Sequence, residues 1–157
     1  MAVGAATLSV SACGDDASGQ STSSRESDVY AAILTTVAAE EPPADATPIL
    51  YVAPLGNEKA IPLQVQVSVV DALAKDATVR FVDDADQAID QEADGAPVID
   101  DAVLVRLGAV PPDGASMRVP GELYRTASDT SPVVYEVSET ANGWVVKSTT
   151  TPAASAS

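Results

Sequence analysis

The chain has no histidine, one cysteine, one tryptophan, one phenylalanine and eight basic residues among 157. Each shortage closes off chemistry. Without histidine there is no Ser-His-Asp or Cys-His nucleophile system, and the usual imidazole ligands of zinc and iron are missing. A single thiol forbids any intrachain disulfide and any thiolate cluster. Carboxylates, hydroxyls, lysines and arginines are what remain for catalysis, a thin inventory for an enzyme. With so few aromatics, a core has to be assembled from Val, Leu, Ile and Ala. No stretch after Cys13 is long and apolar enough to span a membrane.

What is present suits one folded unit. A length of 157 residues matches a single domain, and 46% hydrophobic residues permit a packed core. Acidic residues outnumber basic ones 23 to 8, for a formal charge of −15. A surface of that sign repels nucleic-acid phosphates and anionic headgroups, so nucleic acid is not expected as a partner. Cations, basic proteins and neutral ligands stay open, and the charge also serves solubility.

The lone cysteine sits near the start, after residues 1–12, "MAVGAATLSVSA", which carry no charge and are small or apolar apart from Thr and Ser. Val10, Ser11, Ala12 and Cys13 resemble the bacterial lipobox: a branched apolar residue, two small residues, then the thiol. In that family small side chains give a peptidase access to the bond before the cysteine, and the thiol is the alkylation nucleophile. The resemblance implies that Cys13 carries a diacylglyceryl group and becomes the first residue of the mature protein. No Lys or Arg precedes Cys13, where a secretory signal has a basic stretch. Residues 14–27, "GDDASGQSTSSRES", hold no large apolar side chain and read as a flexible tether. The expected organisation is a signal-like leader over 1–12, an anchor and tether over 13–27, one α+β domain over 28–149, and a disordered tail over 150–157.

Within the domain, Val29, Ile33 and Val37 recur at helical spacing, predicting a helix over 28–39 with Ser27 as its cap. "ILYVA" (49–53) is a short unbroken apolar run and reads as a buried strand. Residues 63–75 alternate like a strand but also place Val65, Val69 and Leu73 at helical spacing. Pro62 in a first turn and an Asp71–Lys75 pair favour a helix there. Strands are expected at 78–82, 102–107 and 117–125, the last interrupted by Pro120-Gly121 and therefore an edge or bulged strand. Residues 133–139 and 144–149 flank "TANG" as a hairpin, with Val137 facing Val146 and Glu136 facing Lys147. The fold class expected is α+β: two helices packed on a mostly antiparallel sheet of about five strands. From Tyr30 through "VRFVDD" and "VLVRLG" to the Trp144 hairpin, the chain is similar to uncharacterised lipoproteins of high-GC Gram-positive bacteria. That resemblance implies no activity and no catalytic residues.

One internal motif carries possible chemistry of its own. In "DQEADGAPVIDD", Asp90, Glu92 and Asp94 take positions one, three and five of a calcium loop, and Gly95 takes position six. The carbonyl of Ala96 would fill position seven and Asp101 position twelve. Calcium binds where several hard oxygens converge, and alternating carboxylates ahead of a glycine supply them. Against this, Pro97 stands at the apolar position eight, and Asp101 is shorter than the usual Glu. Calcium in this loop is the one cofactor the sequence points to. Asp83, Asp84 and Asp86 extend the acidic stretch. Tyr30, Tyr51, Tyr124, Tyr135 and Trp144 are expected in the core or on sheet faces.

These features favour a non-catalytic envelope lipoprotein, held to the membrane by its lipid, that binds a partner protein or serves a larger assembly. An extracellular calcium-binding module built on the Asp90–Asp101 loop and a surface hydrolase using paired carboxylates are the alternatives.

Overall fold

A computed structural model of the chain describes residues 17–41 and 46–153, and within these the side chains from residue 22 onward. Helix α1 spans Ala17–Glu40 and α2 spans Leu63–Leu73. Six strands, β1 (Ile49–Pro54), β2 (Thr78–Phe81), β3 (Val103–Leu107), β4 (Ser116–Thr126), β5 (Asp129–Thr140) and β6 (Gly143–Thr150), form one sheet in the order β2-β1-β3-β4-β5-β6. The fold is α+β as expected, with one strand more than the expected five.

The sheet has two halves of different character. β1 pairs parallel with β2 on one side and with β3 on the other, whereas β3, β4, β5 and β6 pair antiparallel in sequence. Parallel strands need cover on both faces, because their crossovers lie over the sheet. The residues comply: Leu50, Tyr51, Val52 and Ala53 are all buried. β4 and β5 instead alternate buried and exposed positions, the pattern of a sheet with one wet face.

Both helices cover the same face. Val29, Ile33, Leu34 and Val37 of α1 and Val65, Val69 and Leu73 of α2 pack on Leu50, Val52, Val105, Val119, Tyr135 and Val137 of the sheet. The opposite face of the parallel half is closed by the segment between β2 and β3, whose Ala88 and Val98 pack on Tyr51, Ala53 and Leu104. The opposite face of the antiparallel half carries cross-strand ion pairs, Arg106–Glu122 at 2.9 Å and Arg118–Glu136 at 3.1 Å.

Several local expectations are corrected. α1 begins at Ala17, so the stretch read as a tether is helical over most of its length. Ser27 lies inside that helix and caps nothing: its hydroxyl donates to the Ser23 carbonyl at 2.7 Å, which satisfies a polar group buried against the core. α2 stops at Leu73, whose carbonyl accepts the N–H groups of Asp76 and Ala77, and Lys75 lies beyond the helix rather than paired with Asp71. β4 is interior, paired with β3 and β5, although it does carry an irregularity between Tyr124 and Thr126. Pro120 is tolerated there because β3 ends at Leu107. Beyond that end only the Pro120 carbonyl is used, accepting the Gly108 N–H at 2.8 Å.

The C-terminal hairpin keeps the expected Val137–Val146 pairing. A register shift between Glu136 and Val137 pushes Lys147 out of opposition, and Glu136 stands across from Ser148. Its carboxylate accepts the Ser148 hydroxyl at 2.6 Å and Arg118 at 3.1 Å in place of the expected lysine. β6 extends to Thr150.

Candidate functional site

Val10, Ser11, Ala12 and Cys13 lie outside the described residues. The acidic segment between β2 and β3 is described in full. Its first turn is capped by Asp84, whose carboxylate accepts the Asp86 N–H at 3.1 Å. Ile89 and Val98 form an isolated antiparallel bridge that closes a narrow loop, and the Asp90 N–H donates to Pro97 at 2.8 Å.

Inside that loop two of the five predicted calcium ligands, Asp90 and the Ala96 carbonyl, are engaged by protein groups. Oδ1 of Asp90 accepts the N–H groups of Glu92 and Ala93, at 3.1 and 3.2 Å, and so caps its own turn. The Ala96 carbonyl accepts the Tyr124 hydroxyl at 2.7 Å. The Gly95 carbonyl accepts the Ala127 N–H, and the Val98 N–H donates to Arg125, so the loop is stitched to the end of β4. Asp101 lines a separate cavity with Glu40, Glu41 and Asp100. Among the described residues no three His, Cys, Asp or Glu side chains are grouped to hold a metal ion. In this structure Asp90 and the Ala96 carbonyl pin a turn, Asp101 lines a separate cavity, and the carboxylates of Asp90, Glu92, Asp94 and Asp101 are not gathered at one point. The Pro97 carbonyl takes the loop into the bridge, and Tyr124 ties its Ala96 carbonyl to β4.

The best-connected charged group in this region is Asp100, which sequence reasoning did not single out. Its Oδ2 accepts Arg80 Nη1 at 2.6 Å and the Tyr51 hydroxyl at 3.0 Å, while the same Arg80 nitrogen donates to Tyr51 at 2.8 Å. The Arg80 guanidinium also stands 5.6 Å from the Tyr51 ring centre. The Tyr51 hydroxyl first, and Arg80 second, hold the Asp100 carboxyl below its ordinary range. Asp100 has φ of 60° and Asp101 of 52°, left-handed conformations that Asp tolerates better than most residues. No sequence signal announces this, because Tyr51, Arg80 and Asp100 belong to three separate segments.

The cavity beside this cluster measures about 510 Å³ and is lined by Glu40, Glu41, Asp100 and Asp101. Paired-carboxylate catalysis requires one carboxyl held protonated beside one held ionised. Here Asp100 is pushed the ionised way and is paired with Arg80, and Glu41 is paired with Arg125. A carboxyl pushed the other way, that of Glu26, lies in a different cavity of about 310 Å³ with Tyr30, Glu58, Lys59 and Ile61. Burial raises Glu26, opposed by the hydroxyl of Tyr30 one turn on. That hydroxyl is itself anchored, donating to the Gly108 carbonyl at 2.9 Å. Burial and the neighbouring Glu26 charge raise the Tyr30 phenol too. The lowered carboxyl of Asp100 and the raised carboxyl of Glu26 thus line different cavities.

The aromatics take the places expected of them: Tyr30, Tyr51 and Tyr135 are buried, Tyr124 reaches the loop, and Trp144 packs at the core edge under Arg25, whose guanidinium is 4.7 Å from its ring. No known family, no curated protein and no solved structure matches the chain.

Proposed function

We propose that this chain is a lipid-anchored, non-catalytic binding module at the outer face of the cell membrane, with Cys13 as the lipid-bearing residue. The observation that carries the proposal is the sequence Val10-Ser11-Ala12-Cys13 following an uncharged, largely apolar leader. A body with a formal charge of −15 is repelled by anionic headgroups, so residence at a membrane needs an anchor of another kind. Acylation supplies one, at about 0.8 kcal/mol per buried methylene, with two or more chains needed for stable attachment. Support for a binding role over a catalytic one is that Arg80, Arg106, Arg118 and Arg125 are taken up in ion pairs with Asp100, Glu122, Glu136 and Glu41.

The test is expression from the native gene region in a Gram-positive host, comparing wild type with Cys13→Ala. The expected result is that wild type enters the detergent phase on phase separation and the variant stays in the aqueous phase. Equal partitioning of the two would remove the anchor from the account.

A further inference from the structure

The outer flank of α2 keeps apolar surface in water on an otherwise acidic molecule. Leu63, Val67 and Val70 recur at i, i+4 and i+7 and are 72%, 53% and 39% exposed, while Val65, Val69 and Leu73 on the other flank are buried. Together with Phe81 of β2 they line a groove of about 240 Å³, bordered by Gln66 and Asp71. A contiguous exposed apolar strip of this sort marks a place of contact.

The groove runs beside an open sheet edge. β2 is the terminal strand. The Thr78 N–H donates to Pro48 and the Val82 N–H to Val52, both toward β1. In a parallel ladder the intervening residues face the other way, so Val79 and Phe81 direct their N–H and C=O groups away from the sheet. An unpaired edge next to an apolar groove is the arrangement through which a sheet takes up an extended segment. The dimensions agree: Leu63 to Val70 covers roughly 10 Å along the helix, and a four-residue strand roughly 13 Å.

Charge around the groove sets the partner. Asp71 borders the groove, and the exposed Asp76, Asp83 and Asp84 flank β2 in sequence, against Lys59 and Lys75 on either side of α2, while Arg80 is held by Asp100. A second copy would bring the same carboxylates against these, in a chain already at −15. A basic segment meets them favourably. We propose that the α2–β2 groove takes a short extended segment of a partner protein, alternating apolar and basic residues, which adds to β2 as a further strand.

The experiment uses the full chain carrying Cys13→Ser, so that it succeeds or fails independently of the lipid anchor. Fluorescein-labelled hexapeptides alternating Lys–Val, Lys–Ser and Glu–Val are titrated by anisotropy, and amide shifts are followed by NMR. The expected result is tightest binding of Lys–Val, shifts at Val79 and Phe81 but not in β6, and at least tenfold weakening in Val67→Glu. Val67 is half exposed, so the variant should keep wild-type circular dichroism and Trp144 emission. Should Val67→Glu fail to fold, Leu63→Glu at the more exposed end serves instead. Equal binding of Lys–Ser, binding unchanged in the folded variants, or no binding at millimolar peptide would overturn the proposal. So would a wild-type dimer on sedimentation that Val67→Glu dissolves, which would assign the groove to a second copy.

Discussion

At the scale of single residues, close approach decides more than hydrophobicity does. Gly121 sits where a Cβ would stand 3.0 Å from the Arg106 carbonyl and 3.0 Å from the Tyr135 ring, and the first of these is backbone that cannot swing away. Gly121→Ala is therefore expected to destabilise the fold by about 1–3 kcal/mol, the usual range for overpacking a core. Chemical denaturation followed through Trp144, the single tryptophan, measures it. Glu26 makes a second prediction. Its carboxyl is raised in the folded state, chiefly by burial, so the charged form is disfavoured by folding. Its unfavourable contribution is absent at low pH and grows as pH rises above the unfolded value of 4.5 toward the folded one. Glu26→Gln is expected to flatten that part of the stability–pH curve and to leave the protein at neutral pH at least as stable as wild type. A variant curve that falls as steeply as wild type would contradict the assignment. Little of this was legible beforehand: Glu26 and Asp100 looked like two acids among 23, and only the fold places Tyr30 beside one and Arg80 and Tyr51 beside the other.

At the scale of elements, apolar periodicity located the helices and strands, and local polar chemistry misjudged their ends. The stripe from Val29 to Val37 identified α1, but the Ser-rich stretch before it read as tether because Ser and Gly favour loops. Tertiary contact overrides that preference. Arg25 donates to the carbonyls of Pro111, at 3.1 Å, and Gly114, and lies over Trp144, tying the early turns of α1 to the β3–β4 connection and to β6. Arg25→Ala should cost about 1–2 kcal/mol, from lost hydrogen bonds to carbonyls and the lost cation–π contact. It should also change Trp144 emission in the native state. A variant with wild-type stability and emission would mean that these contacts do not hold the helix. The hairpin teaches the same lesson at strand level. Its register followed from apolar pairing, whereas the shift that displaces Lys147 has no counterpart in the residue pattern. The calcium-like loop also shows contacts its spacing does not announce: Asp90 accepts backbone N–H groups of the loop itself, and the Ala96 carbonyl accepts the hydroxyl of Tyr124, far off in sequence.

At the scale of the whole molecule, the two halves of the sheet divide the work. The antiparallel half gives β4 and β5 long ladders and leaves one face to charged pairs in water. The parallel half is shorter, covered on both faces, and ends in the open edge of β2 beside the apolar flank of α2. The unbroken apolar run "ILYVA" made β1 readable as a buried strand, but its parallel pairing on both sides was not readable. The strand order was not readable, because the connection from β2 to β3 crosses β1 through loops and two short 3-10 turns, not through an α-helix. On the function proposed above, the apolar groove between α2 and β2 would select a partner, and a lipid at Cys13 would confine that selection to the membrane surface.

The most direct test of this account is the mass of the mature N-terminal peptide from native membranes. The account predicts a peptide that begins at Cys13 and carries a diacylglyceryl modification. A peptide beginning at Met1, with an unmodified thiol at Cys13, would contradict it.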